Sequence, residues 1–371
     1  MNPISDAKRL IVKIGSSLLV DEASGHIHRA WLDSLCDDVA RLRARGTEVI
    51  LVSSGAVAVG RRHLGLQPPL RLEQKQAAAA TGQIRLAHAY QESLARHAIT
   101  VAQVLLTLED SEDRRRYLNA RNTLDTLLRL GAVPVINEND TVATAEIRFG
   151  DNDRLAARVA QMCGADTLVL FSDIDGLYTA DPRRNPDAEF LPEVREMTPA
   201  IEAMAGDPGT GYGSGGMVTK LVAARICMGA GCRMAITLGK PMNPLAAIEA
   251  GSQRATWFMP KATPQAARKR WIAGAMSPTG ALVVDEGACK ALAMGRSLLP
   301  AGVTAVAGEF DRGECVLVKS ADGRVLGRGL AAYDAAEARK IIGRKSADIE
   351  GILGYVREDE LIHRDDLVME G

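Results

Sequence analysis

Arg9–Gly15 reads RLIVKIG, and Ser16 and Ser17 follow at once. A short apolar run closing on glycine is the pattern of a strand buried on both faces of a parallel sheet, because a strand with one wet face would alternate. Lys13 interrupts the run with a charge near its carboxyl end. A lysine there either snorkels to the surface or points into a crevice, and open α/β sheets bind ligands beyond the carboxyl ends of their strands. The glycine and two serines that follow suit the crevice.

Outward from this strand the chain alternates. Residues 28–45 carry apolar positions at helical spacing (Ala30, Trp31, Leu35, Val39, Leu42) up to Gly46, and EVILVSSGA at 48–56 is a second strand, completing a βαβ unit. Ser53, Ser54 and Gly55 then fall at the same sheet edge as Lys13. Ser53 can hold a polar substrate there, or serve as a cap or turn serine. The alanine-rich stretch 72–98, with Gly82 inside it, reads as a long helix whose small residues suit close helix packing or a subunit contact. His88 and His97, with no evident carboxylate or cysteine partners, read as surface or packing residues.

Strands at 101–107 and 133–140 and a helix at 113–130 continue the alternation. Asn137, Glu138, Asn139 and Asp140 put four polar residues where the sheet opens, and such a cluster can grip an amino group, although a solvated loop looks similar. Gly150, Asp151, Asn152 and Asp153 precede the helix RLAARVAQMCG. One acid there is enough to cap it, so two acids around an asparagine can also organise lysines or a metal-bound nucleotide. Strand TLVLFS at 167–172 leads into Asp173, Ile174, Asp175 and Gly176 and then LYTADPR, an excursion suited to the nucleoside part of a cofactor. Gly211–Lys220, GYGSGGMVTK, runs into the helical pattern Leu221–Met228. Its glycines leave backbone amides open at a helix start, where unpaired N–H groups and the dipole favour an anion such as phosphate, and Lys220 adds a full charge. RMAITLG at 233–239 is the last strand of the alternation.

At 371 residues the chain exceeds one ordinary core, and two domains are expected. Hydrophobic residues make up 47% and charged residues 25%, a globular balance, and the net charge of -1 gives no whole-chain attraction to nucleic acid or anionic lipid. No apolar run approaches the roughly 20 residues that span a bilayer, and MNPISDAKRL lacks the regions of a signal peptide; a cytoplasmic location is expected. Cys36, Cys163, Cys227, Cys232, Cys289 and Cys315 form no CxxC pair and read as free, mostly buried thiols, with no metal site. Residues 260–277 change character, with prolines, no strand and the basic run Arg268–Arg270, which reads as a solvated helix face. From Pro278 short strands and glycines suggest a small β-rich barrel with accessory helices. Over 278–371 there are 12 Lys and Arg against 16 Asp and Glu, an acidic balance that argues against RNA.

Two motifs mislead. Gly211, Gly213 and Gly216 satisfy GxGxxG, but behind PAIEAMAGDPGT rather than a first strand, so the dinucleotide reading fails. His363–Asp365 spells HRD too near the C-terminus to be the catalytic loop of a protein kinase.

KIGSS at 13–17, SSGA at 53–56, NENDTVATAEIRFGDND at 137–153, LYTADPR at 177–183 and GSGGMVTK at 213–220 together resemble the amino acid kinase family. NENDTVAT and the C-terminal part, which is similar to a PUA domain, narrow the resemblance to its glutamate-phosphorylating members. It implies an α/β fold: a three-layer αβα sandwich at 1–259, a linker at 260–277 and a PUA-like domain at 278–371. It implies that ATP, with Mg2+, gives its γ-phosphoryl to the side-chain carboxylate of L-glutamate, the first step of proline synthesis. By matching positions, ATP is held by Lys13, Ser172, Asp173 and the loop Ser214, Gly215, Gly216, Met217, Val218, Thr219 and Lys220. Glutamate is held by Ser53, Asp140 and Asn152. Lys13 and Lys220 neutralise the transferring group while Asp153 orients them, and no protein metal ligand is expected. The resemblance also implies feedback by proline and a homo-oligomer. The alternatives are a kinase of another acid, such as aspartate or acetylglutamate, and an RNA-binding regulatory protein acting through the PUA-like domain.

Overall fold

The computed structural model describes residues 3–21, 24–142, 152–205, 216–275 and 277–370. The chain divides into two compact units, Met1–Asp113 with Asn119–Pro264, and Arg114–Leu118 with Gln265–Gly371.

The first unit runs β1 (Arg9–Ile14), α1 (Ser16–Leu19), α2 (Arg29–Ala44), β2 (Glu48–Ser53), α3 (Ala56–His63), α4 (Leu72–Ala95), β3 (Val101–Leu106), α5 (Arg114–Arg129), β4 (Val133–Glu138), α6 (Asn152–Cys163) and β5 (Thr167–Ser172). The short strands β6 (Leu177–Tyr178), β7 (Phe190–Leu191) and β8 (Glu193–Val194) follow, then α7 (Pro199–Ala203), α8 (Met217–Gly229), β9 (Arg233–Leu238), α9 (Pro244–Glu249) and β10 (Ala255–Phe258). Eight strands form one sheet in the order β3-β4-β2-β1-β5-β9-β10-β8. It is parallel except where β10 meets β9. β1 sits at its centre, between β2 and β5, and the chain winds outward from it in both directions, which opens a crevice at the carboxyl edge there.

The pleat explains why RLIVKIG is apolar almost throughout. Leu10, Val12 and Ile14 join the core under α2, α4 and α9, together with Val49, Leu51, Val135, Val169 and Phe171. Lys13, two residues on from Ile11, belongs to the other face, where α6 packs on β1 and β5. Trp31 of α2 locks the first face: its indole Nε1 donates to Gly239 O at 2.8 Å, and its ring meets Phe171 edge-on at 6.4 Å. Helices on both faces of the sheet make the three-layer αβα sandwich that the family resemblance implies.

The glycine in the alanine-rich helix has a definite partner. A Cβ on Gly82 of α4 would stand 1.8 Å from Ala56 O, and one on Gly60 of α3 would stand 1.7 Å from Ala78 O. The two backbones therefore touch, and these small residues serve packing within the chain.

The 260–277 stretch, which passes from the first unit to the second after Pro264, is largely helical, as α10 (Pro264–Ala275), with proline in the first turn where its missing N–H costs nothing. Its basic run is not wholly solvated: Arg268 is half-buried and ion-paired with Asp366. Then come β11 (Gly280–Val284), α11 (Glu286–Ala293), β12 (Val303–Gly308), β13 (Cys315–Ser320), β14 (Val325–Leu330), α12 (Ala335–Ile341), α13 (Ile349–Leu353) and β15 (Leu367–Met369). The strands form a five-stranded sheet, β12-β11-β13-β14-β15, around a core that includes Leu282, Val318, Tyr333 and Ile362. Within the segment 280–292, only the first five residues are strand. Asp285 caps the amide of Ala288 at 2.7 Å and turns the rest into α11.

Candidate active site

Two side-chain clusters meet at the head of α6, next to the carboxyl ends of β1, β2 and β4. Asn152 and Asp153 are its first two residues, and both are buried.

Asp153 is the hub of the charged cluster. Its Oδ1 lies 2.7 Å from Lys13 Nζ and its Oδ2 lies 3.1 Å from Lys220 Nζ. Thr219 Oγ1 donates to the same Oδ2 at 2.9 Å. Burial would raise this carboxyl, but the two ammonium groups outweigh it and hold it below its ordinary value. Three ionised groups can stay buried here because each is paired. The triad thus arrives from β1, α6 and α8, three elements far apart in sequence. Gly216 precedes α8 in extended conformation, and no side chain caps that helix among the described residues, so its first amides remain open to an anion. Met217 is half-buried and Val218 is 37% exposed. Ser214 and Gly215, with Gly211, Gly213, Gly150 and Asp151, lie outside the described residues.

The polar cluster is built on Asn152. Its Nδ2 donates to Ser53 O at 3.0 Å, Ser54 Oγ at 2.7 Å and Asn137 Oδ1 at 3.0 Å, while its buried Oδ1 has no partner among the described residues. The orientation of these amides is dictated by the backbone. Glu138 N–H can only meet an oxygen, which fixes Asn137 Oδ1, and the Ser53 carbonyl can only meet a donor, which fixes Asn152 Nδ2. Asn137 Nδ2 in turn donates to Gln83 Oε1 at 2.7 Å, and Tyr90 Oη donates to Ser53 Oγ at 3.0 Å. Gln83 and Tyr90, seven residues apart on one face of α4, had no sequence signal. Their polar atoms act through contacts across more than 30 residues of chain, which helical periodicity does not report. Asp140 lies two residues past β4, and burial pushes its carboxyl up to about 6.

At the end of β5, Ser172 Oγ donates to Asp173 Oδ1 at 3.1 Å. Asp173 lines a cavity of about 410 Å3 with Ile174, Asp175, Arg183, Leu238, Gln253 and Arg254. Asp175 is pinned between Arg254 Nη2 at 2.7 Å and Tyr178 Oη at 2.8 Å, and Arg254 lies over the Phe190 ring at 5.1 Å. This volume suits a nucleoside. The SDIDG turn led toward it; Arg254 and Gln253, on the loop before β10, were not legible.

Other groups are occupied elsewhere. His88 and His97 do have carboxylate partners, Glu92 at 3.4 Å and Asp37 at 2.7 Å, away from the clusters above. All six cysteines are free, and five are buried. No helix among the described residues is long and apolar enough to cross a membrane.

Residues 8–237 match the model of the amino acid kinase family and residues 280–353 that of the PUA domain. A protein of Paramagnetospirillum magneticum named glutamate 5-kinase is 73% identical over 100% of both chains. One of the same name from Rhodospirillum rubrum is 62% identical over 97% of this chain and 96% of its own. Among solved structures, a UMP kinase from Bacillus anthracis has 15% identity and a TM-score of 0.49 over 69% of this chain and 98% of its own. With well over half of its length matched by the family model and full-length identity at this level to curated members, the chain belongs to the amino acid kinase family.

Proposed function

We propose that this kinase transfers the γ-phosphoryl group of ATP to the side-chain carboxylate of L-glutamate, forming L-glutamyl 5-phosphate and ADP and so opening proline synthesis. The observation that carries the proposal is the junction at α6, where the Lys13–Asp153–Lys220 triad adjoins a buried cradle built from Ser53, Asn137 and Asn152.

A carboxylate is already a nucleophile at neutral pH, so no general base is needed. A carboxylate oxygen bonds to the γ-phosphorus, the bond from that phosphorus to the β–γ bridging oxygen breaks, and the electron pair leaves with ADP. The obstacle is the approach of two anions, and the remedy is positioning and fixed positive charge. Lys13 and Lys220 supply that charge, and Asp153, set between them, keeps both ammonium groups aimed at one place. The open amides at the start of α8, with the Ser214 to Lys220 segment, hold phosphate oxygens. Ser172 and Asp173 hold the nucleoside side. Ser53, Asn152 and Asp140 hold the amino acid, the last two as acceptors for its ammonium. Among the described residues no group of three or more His, Cys, Asp or Glu is placed to hold a metal ion. Mg2+ would be carried by the bound ATP, its ordinary mode, and would supply charge neutralisation there beside Lys13 and Lys220.

Trapping the acyl phosphate with hydroxylamine tests the reading. With L-glutamate, L-aspartate and N-acetylglutamate offered in parallel, hydroxamate should form fastest from L-glutamate; faster formation from either of the others would replace it. Inhibition by proline competing with glutamate, and a homo-oligomeric state, belong to the same proposal and are checked by adding proline to that assay and by light scattering.

A further inference from the structure

Tyr90 is wholly buried in α4, and Ser53 is 1% exposed at the end of β2. A phenolic O–H out of water needs an acceptor, and Ser53 Oγ at 3.0 Å is the one beside it. The reverse assignment, with Ser53 donating, would strand the phenolic hydrogen. Accepting from Tyr90 leaves Ser53 with its own hydrogen to place. Among the described residues that hydrogen can reach Ser54 O at 3.3 Å, longer than the ordinary range for O–H donors. A carboxylate oxygen arriving in the crevice is a better acceptor, because the bond is then charge-assisted. The Ser53 backbone is also held, by Asn152 Nδ2 at its carbonyl.

The geometry points to Tyr90 as a positioning residue for the acceptor site: it fixes the polarity of the Ser53 hydroxyl, so that Ser53 donates to a carboxylate of the incoming amino acid. Asn152 Oδ1, by contrast, is a buried acceptor with no hydrogen-bond partner among the described residues. One donor and one acceptor, both set by buried partners, match the two charges of an amino-acid zwitterion. This rests on the reading of Ser53 as an acceptor-site residue.

The test is a double-mutant cycle of Tyr90→Phe and Ser53→Ala. It uses whichever acid the wild-type chain converts fastest to hydroxamate, so that a wrong choice of L-glutamate changes the substrate and leaves the test of Tyr90 standing. Tyr90→Phe keeps the ring and its packing. It should raise the KM for the acceptor about tenfold, the size of one lost hydrogen bond to a charged group, with the KM for ATP unchanged. In the Ser53→Ala background the same substitution should have no further effect on the acceptor KM. An acceptor KM unchanged by Tyr90→Phe, or equal effects in both backgrounds, would overturn the inference, because a merely structural phenol acts independently of the Ser53 hydroxyl. Tyr90→Met removes the same donor from a more adaptable side chain and carries the cycle if Tyr90→Phe does not fold.

Discussion

Lys220 and Lys13 divide one carboxylate between them, an oxygen each, and that geometry sets what the loss of either would do. Removing Lys220 leaves Asp153 paired with Lys13 and Thr219, so the buried carboxylate keeps partners while one fixed charge of the proposed site is gone. Lys220→Ala should lower kcat by about 100-fold or more, in line with the loss of one preorganised donor; near-normal turnover by folded protein would remove Lys220 from the role. Asp140 makes a different prediction, because burial has pushed its carboxyl up to about 6. A protonated Asp140 cannot pair with an ammonium, so the KM for glutamate should rise as pH falls through 6. The substrate's own side-chain carboxyl, near 4.3, stays largely ionised down to about pH 5 and leaves the effect attributable to the protein. Asp140→Asn should have a high glutamate KM with no such rise between pH 7 and 5, and a mutant that still follows the wild-type profile would reassign the group. The sign for stability is opposite to that of a salt-bridged acid. Because the folded carboxyl is raised above its unfolded value, Asp140 weakens the fold as pH climbs from about 4 to 6.

At the scale of elements, α3 and α4 show how packing supports the site. α3 begins just after Ser53, and α4 carries Gln83 and Tyr90, so their closeness holds the cradle from behind. Gly82→Ala ought to be favourable by helix propensity, by about 1 kcal/mol. Here its methyl would lie 1.8 Å from Ala56 O, in backbone that cannot step aside alone. The substitution should therefore destabilise, by about 1–3 kcal/mol as overpacking does, and raise the glutamate KM by displacing Tyr90. An unchanged urea midpoint would contradict it. The same elements show what the sequence could and could not say. β5 is Thr167–Ser172 in both readings because a fully buried strand has no face to disguise it. α4 was legible as a helix, and its small residues as a contact, yet not which helix they meet, since that depends on a partner outside the window. Lys13 and Lys220 stand out in the sequence because a charge at a strand end or helix start is locally anomalous. Tyr90 and Gln83 were missed because, in a helix, each is locally ordinary.

On the scale of the whole molecule, the described candidate residues Lys13, Ser53, Asp140, Asn152, Asp153, Ser172, Asp173 and Lys220 all belong to the first compact unit. The second unit has its own sheet and its own core, and over 278–371 it carries 12 basic against 16 acidic residues. An acidic balance releases few counterions from a polyanion, so its charge gives this unit no evident part in phosphoryl transfer. A chain ending at residue 277 should then keep ATP-dependent hydroxamate formation with kcat/KM within about tenfold of the full chain, since a site displaced by even 1 Å would lose more. Stability is a separate matter. Arg114–Leu118, the first residues of α5, group with the second unit rather than the first, so the truncated chain should unfold at lower urea while its glutamate KM holds. Loss of all turnover in a truncated chain that still shows a cooperative urea transition would mean that the second unit contributes to catalysis directly, and the boundary drawn from sequence near residue 260 would not separate the activity from the rest.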